Sequence, residues 1–215
     1  VVQYGFGSIG QEIARCVLKK EKLELVGAID SDPGKAGKDL GELLNLGRSL
    51  GMIVSSEAEA VLQGAEADVV LHTTTSRLKD VCPQLLTAID AGVNIISSTE
   101  ELFYPQLRNP ELAQEIDRKA RERGVTVLGT GVNPGFLMDS LVVALTGVCR
   151  EVRKVQATRI VDVASRRLPL QRKMGVGLPP EAFRQKAQEG KLGHVGLAES
   201  LAWVAIMLGW KLDNV

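Results

Sequence analysis

The stretch from Val1 to Glu12 constrains the fold more than any other. Val1-Val2-Gln3-Tyr4 is a short, mostly apolar run leading into Gly5-Phe6-Gly7-Ser8-Ile9-Gly10, after which Ile9, Ile13, Ala14, Val17 and Leu18 recur at helical spacing. A strand, a glycine turn and a helix in that order read as half of a dinucleotide-binding unit when a second strand ends in an acid about twenty residues further on. Leu23 to Ile29 is that strand and Asp30 is the acid. Gly5 permits the tight turn, Gly7 lets backbone approach a pyrophosphate, and Gly10 lets the helix pack closely on the strand. The helix start from Phe6 through Ser8 and Ile9 offers backbone amides and the positive dipole end to the phosphates.

The rest of the chain repeats the pattern. Apolar runs at Ala67–Thr73, Val93–Ser97 and Val125–Leu128 alternate with helical periodicities at Glu57–Gln63, Ser76–Ala91 and Pro110–Arg123. Met52-Ile53-Val54 reads as a further short strand, and Pro83 is expected in the first turn of its helix. This alternation predicts an α/β fold with a Rossmann-type doubly wound parallel sheet. The texture changes near Thr130. A loop over Gly129–Gly135 leads into a helix expected from Phe136 to Thr146, and Glu151 to Val163 then alternates as a strand with one wetter face would. Two more helices follow, one opened by Pro179-Pro180 and one running from Gly193 to Trp210. The expected division is a dinucleotide-binding domain over residues 1–130 and the first part of an α+β substrate and dimerisation domain over 131–215. The absence of an initial Met and the abrupt end after a helix suggest part of a longer protein.

Composition narrows the partners. Lys+Arg and Asp+Glu number 26 each, so no net field recruits nucleic acid or an anionic membrane, and a small molecule is the expected partner. No apolar stretch is long enough for a membrane span, and a cytoplasmic location follows. Cys16, Cys82 and Cys149 are widely separated and lack metal-site spacing, so no metal and no disulfide framework are expected.

Several side chains are candidates for chemistry. Asp30 would accept hydrogen bonds from the adenosine ribose, favouring NAD, while Ser31, Lys35 and Lys38 soften that preference; the cofactor is NAD or NADP. Thr73, Thr74 and Thr75 follow a strand, where hydroxyls line a cofactor cleft or equally cap the next helix. Glu100 and Glu101 follow the next strand as a candidate general base, although acids there also suit a first helical turn. His72 sits within a strand and reads as a core group, whereas His194 opens a helix and is better placed to meet a substrate. Arg159, Arg166, Arg167, Arg172 and Lys173 form a locally basic segment, either a solvated face or the source of a carboxylate clamp.

Four segments together resemble a family. They are Gly5–Gly10, Ser98-Thr99-Glu100-Glu101-Leu102-Phe103-Tyr104-Pro105, Gly129–Phe136 with Met138-Asp139, and Gly193-His194-Val195-Gly196-Leu197 with Glu199-Ser200. They are similar to 2,4-diaminopentanoate dehydrogenase and the native NAD(P)-dependent amine dehydrogenases, over essentially the whole chain. The resemblance implies oxidative deamination of an amine to a ketone plus ammonia, with Glu100 as the acid/base and Glu101 the alternative. It also implies Asn133 beside the nicotinamide, His194 near substrate, and a homodimer formed through the second domain. The family is distantly related to dihydrodipicolinate reductase, whose paired-histidine motif is absent here. A non-catalytic dinucleotide-binding module is the reading from a different class.

Overall fold

The computed structural model describes residues 1–166 and 168–215, so Arg167 lies outside the described residues. Five strands, β1 (Val2–Tyr4), β2 (Gly27–Ile29), β3 (Val69–His72), β4 (Asn94–Ser97) and β5 (Val127–Gly129), form a sheet in the order β2-β1-β3-β4-β5. All four pairings are parallel, and Val2 stands between Gly27 and Val70. Parallel neighbours need crossover connections, supplied here by α1 (Ser8–Val17), α2 (Leu40–Leu43), α3 (Ala58–Gly64), α4 (Leu78–Asp90) and α5 (Pro110–Arg123). Strand order reverses at β1, with β2 on one side and β3 on the other. In open α/β sheets a ligand crevice opens outside the carboxyl ends of the strands at such a point.

Each face of the sheet carries its own apolar layer. Ala28 and Ile29 are adjacent in β2 and point to opposite faces, and they fall into different clusters. Ile29 packs with Val2, Val70, Leu78, Leu85 and Ile89. Ala28 packs with Phe6, Ala14, Val17, Leu40 and Val54. Leu85 and Ile89 are almost wholly buried, each stabilising the fold by about 1.5–3 kcal/mol. Pro110 occupies the first turn of α5, and Gly124 closes that helix at φ 67°.

Several expectations need correcting. Met52–Val54 is no strand; it contributes only an isolated antiparallel bridge from Ile53 to Asp39, with Ser55 bridging Ile29 beside it. Pro83 lies beyond the first turn of α4, inside the helix at an exposed position, where it leaves one intrahelical hydrogen bond unmade. The later helices are α6 (Ser140–Thr146), α7 (Leu168–Lys173), α8 (Pro180–Gln188) and α9 (Leu197–Met207). Of these, α7 was not expected. α6 begins at Ser140 rather than Phe136, because the Asp139 carboxylate accepts the Ser140 amide and caps the helix there. α9 begins at Leu197 rather than Gly193, after Gly196 at φ 101°. Residues 151–162 form no ladder with any described residue. Their alternation suits a pleated surface, but a strand exists only against a neighbour. Among the described residues no helix is long and apolar enough to cross a membrane.

Candidate functional site

Because the sheet is parallel, the segments after β1, β2, β3, β4 and β5 all emerge at one edge. The three glycines of the first turn meet different surroundings there. Gly5 has φ +88°, and a Cβ on it would lie 2.7 Å from the Thr73 carbonyl oxygen. A Cβ on Gly10 would collide with the Gly5 carbonyl, so helix and turn approach backbone to backbone at this point. Gly7 has nothing within 4 Å of where its Cβ would be, and it stands at the N-terminus of α1 without a side-chain cap. That open ground beside a helix N-terminus fits a pyrophosphate.

The turn is braced from below. Gln3, wholly buried in β1, donates through Nε2 to the Gly5 carbonyl at 3.0 Å and to Thr73 Oγ1 at 2.9 Å. Thr73 Oγ1 itself donates to the Gly5 carbonyl. Thr74 Oγ1 donates to Gln84 Oε1, and Thr75 accepts from Thr99 Oγ1 through its carbonyl. None of these three hydroxyls caps α4. Phe6 is buried in the core, and its amide donates to Asp30 Oδ2 at 2.6 Å. Ser8, Ile9 and Ser31 are exposed on the crevice side of the turn and after β2.

The two adjacent glutamates diverge. Glu101 is buried, and its Oε2 accepts the Leu78 amide at 2.8 Å and Asn109 Nδ2 at 3.3 Å. It therefore does the capping that the threonines do not. Glu100 is only partly buried, and its Oε1 lies 3.5 Å from Lys173 Nζ, which is also 3.5 Å from Ser76 Oγ.

Glu100 also marks where the later part of the chain meets the sheet edge. A Cβ on Gly196 would lie 2.5 Å from Pro134 Cδ and 3.1 Å from Glu100 Cβ, so the entry to α9 fits between them. Asn133 precedes Pro134, and its Oδ1 is buried with no partner among the described residues. The same is true of His194 Nδ1. His194, Lys173, Ser76, Arg77, Glu101 and Gly196 line one cleft of about 810 Å³, and Glu100 stands next to it through Lys173 and Gly196. Behind it Asp139, fully buried, accepts from the Gly135 amide and from Ser200 Oγ at 2.7 Å, tying the loop after β5 to α9.

Sequence candidates thus separate into two groups. The glycine turn, Asp30, the threonines, Glu100, Asn133 and His194 gather around one edge. Arg159 does not join them: it is exposed and borders a groove against Leu141 and Leu145 of α6. His72 is a core group, with Nδ1 2.9 Å from Ser97 Oγ and Nε2 donating to Gln84 Oε1 at 2.8 Å. Sequence reasoning missed Gln3, whose signal was a lone amide in an apolar strand. The sequence marks Lys173 only as one of a basic segment, and nothing there sets it apart from its neighbours as the one that meets Glu100.

Comparison with known proteins now bears on this arrangement. The family described as dihydrodipicolinate reductase, N-terminus, matches residues 1–127, and the 2,4-diaminopentanoate dehydrogenase C-terminal domain matches residues 136–215. The chain belongs to the first of these families, whose model covers more than half of it, and its later part matches the second. A 2,4-diaminopentanoate dehydrogenase of Acetoanaerobium sticklandii is 38% identical over 220 residues, covering 99% of this chain and 61% of the relative. An amine dehydrogenase of Streptomyces virginiae is 28% identical over 171 residues, 76% of this chain and 46% of its own length. The solved structure of an amine dehydrogenase from Mycobacterium smegmatis superposes with a TM-score of 0.83 at 29% identity, covering 99% of this chain and 62% of that one. The chain therefore spans about three fifths of the length of the first and third of these relatives and less than half of the second. The fold of this family, a Rossmann-like parallel sheet with flanking helices, is the one described above.

Proposed function

We propose that the chain carries the dinucleotide site and the acid/base of an NAD(P)-dependent dehydrogenase acting on the CH–NH2 group of a small amine, of the 2,4-diaminopentanoate kind. The observation that carries this reading is the divergence of the two glutamates. Glu101 reaches the cleft wall but is committed to α4, whereas Glu100 stands beside Pro134 and Gly196 with its carboxylate paired only to Lys173 among the described residues. A proton-transfer residue has to reach the reacting group, and only Glu100 of the pair has that freedom.

The dinucleotide, held at Gly7 and the start of α1, would supply the hydride acceptor. Hydride leaves the amine-bearing carbon only when the nitrogen lone pair is free. The Glu100 carboxylate would therefore first take a proton from the substrate ammonium. After Glu100 passes that proton to solvent, the iminium formed by hydride loss adds water, with Glu100 accepting the water proton and returning it to the nitrogen as the adduct collapses to ketone and ammonium. Overall, the ammonium form of the amine, oxidised dinucleotide and water give ketone, ammonium ion, reduced dinucleotide and one proton. Asn133 and His194 carry buried polar atoms without partners among the described residues, which suits groups that hydrogen-bond a bound molecule.

In the full-length protein, Glu100→Gln keeps dinucleotide affinity and lowers turnover by about 10²–10⁴-fold, followed as reduced cofactor absorbance over a panel of amines. Turnover at the wild-type rate in that variant rejects Glu100 as the base. Dinucleotide binding with no turnover of any amine by the wild type favours a binding module. The reductase alternative draws support from the N-terminal family match and from a 4-hydroxy-tetrahydrodipicolinate reductase of Nostoc sp., 30% identical over 116 residues. Against it, the only two histidines, His72 and His194, stand far apart in the sequence.

A further inference from the structure

Asp30 stands where a ribose-reading acid belongs, at the end of β2, yet its carboxylate is already engaged. Oδ2 accepts the Phe6 amide at 2.6 Å and Lys35 Nζ at 3.0 Å, and Oδ1 accepts the Asp32 amide at 2.8 Å. Each carboxylate oxygen offers two lone-pair sites, so Oδ2 is saturated and Oδ1 retains one. Chelating a ribose diol takes one acceptor for each hydroxyl, and Asp30 has only one to give. It is also only 9% exposed.

The Lys35 ammonium is fixed in place by its loop. Asp32 Oδ2 lies 3.2 Å from Nζ, and the Asp32 carboxylate is held in turn by the Gly34 amide. The Lys35 and Ala36 amides donate to the Asp32 carbonyl and close the loop behind it. Partial burial pulls the Lys35 pKa down, but its hydrogen bonds to the Asp30 and Asp32 carboxylates, with their negative charge, outweigh it and leave that pKa raised. The ammonium is therefore charged at any physiological pH. Its side chain remains 23% exposed, so the cation can reach an incoming anion.

We infer that Lys35 determines specificity at the adenosine 2′ position: its ammonium screens Asp30 and offers a counter-ion to a 2′-phosphate, so the site accepts NADP as well as NAD. The inference rests on the dinucleotide reading of the glycine turn. A 2′-phosphate beside an unscreened aspartate would meet like charge. Beside the Asp30–Lys35–Asp32 cluster it meets a preformed cation that can exchange a carboxylate partner for a phosphate oxygen, a charge-assisted contact. Lys38, exposed on the same loop, adds a second positive charge nearby.

The test is calorimetric titration of the intact protein with adenosine 2′,5′-bisphosphate and with adenosine 5′-monophosphate, without turnover. The wild type is expected to bind the bisphosphate at least as tightly as the monophosphate. Lys35→Met should weaken the bisphosphate about 10-fold or more and change the monophosphate by less than about 3-fold, while Lys35→Arg retains the bisphosphate. Equal weakening of both nucleotides by Lys35→Met, or no change in their ratio, overturns the role of Lys35 and leaves the dinucleotide reading intact. Failure of the wild type to bind either nucleotide, or dinucleotide, overturns both. If Lys35→Met does not fold, Lys35→Gln and Lys35→Arg together provide the same comparison.

Discussion

Gly7 and Gly10 belong to one motif and are needed for different reasons, which substitution by alanine separates. An added methyl at Gly10 meets the Gly5 carbonyl, with Thr73 Oγ1 2.9 Å away, so the turn and α1 must part. Gly10→Ala is expected to destabilise the protein by at least about 1–3 kcal/mol in urea denaturation. Gly7→Ala meets only open space and a backbone at φ −74°, so stability should stay within about 0.5 kcal/mol of wild type. Its cost should appear in dinucleotide affinity, because the methyl occupies the ground proposed for pyrophosphate. If both variants unfold alike, this division is wrong. The motif was legible in the sequence because glycine spacing is a local signal. The lock on Asp30 was not: Phe6 and Lys35 lie 24 and 5 residues away and meet it only through the fold.

At the scale of elements, helix and strand order could be read because burial on a face imposes a period, and that period is local. α5 shows this at both ends, with Pro110 at its start and Gly124 at its stop. The run over 151–162 had the period of a strand and yet forms none with the described residues, since pairing depends on a partner that a local pattern does not specify. β3 carries a testable consequence of its register. It sets His72 beside Ser97 of β4, 1% exposed, and burial pushes its pKa down while the Gln84 hydrogen bond opposes the shift. The unfolded chain takes up this proton near pH 6.5, and the folded chain only at a lower pH. Between those values the unfolded state binds more protons, so the contribution is fully present above about pH 6.5 and is lost as pH falls toward the folded pKa. Urea denaturation from about pH 7.5 to 5 should therefore show the wild type losing more stability than His72→Gln. Parallel pH curves for the two proteins would contradict a buried neutral histidine.

Across the whole molecule, the question is what holds α9 against the sheet edge, where its first turn borders the proposed reacting centre. Phe103 and Trp203 pack at a tilt of 47° with ring centroids 5.3 Å apart, and Ser200 bonds Asp139. The third tie is Arg108 Nε donating to Glu199 Oε1 at 2.7 Å. Glu199 is 1% exposed, and its other oxygen has no partner among the described residues, whereas the Arg108 side chain is 55% exposed. A buried carboxylate with one cationic partner costs more when that partner is lost than when the charge itself is removed. Arg108→Ala should thus destabilise by about 1–3 kcal/mol, the lower part of that range applying if water reaches the vacated side. Glu199→Gln keeps an acceptor for Arg108 and removes the buried charge, so it should cost less. In the double variant no buried charge is left stranded, and its loss should be smaller than the sum of the two single losses. Urea denaturation of the four proteins measures the coupling directly. Simple additivity would mean that the pair contributes nothing to docking α9, leaving the aromatic contact and the Asp139–Ser200 bond to hold the helix beside Glu100.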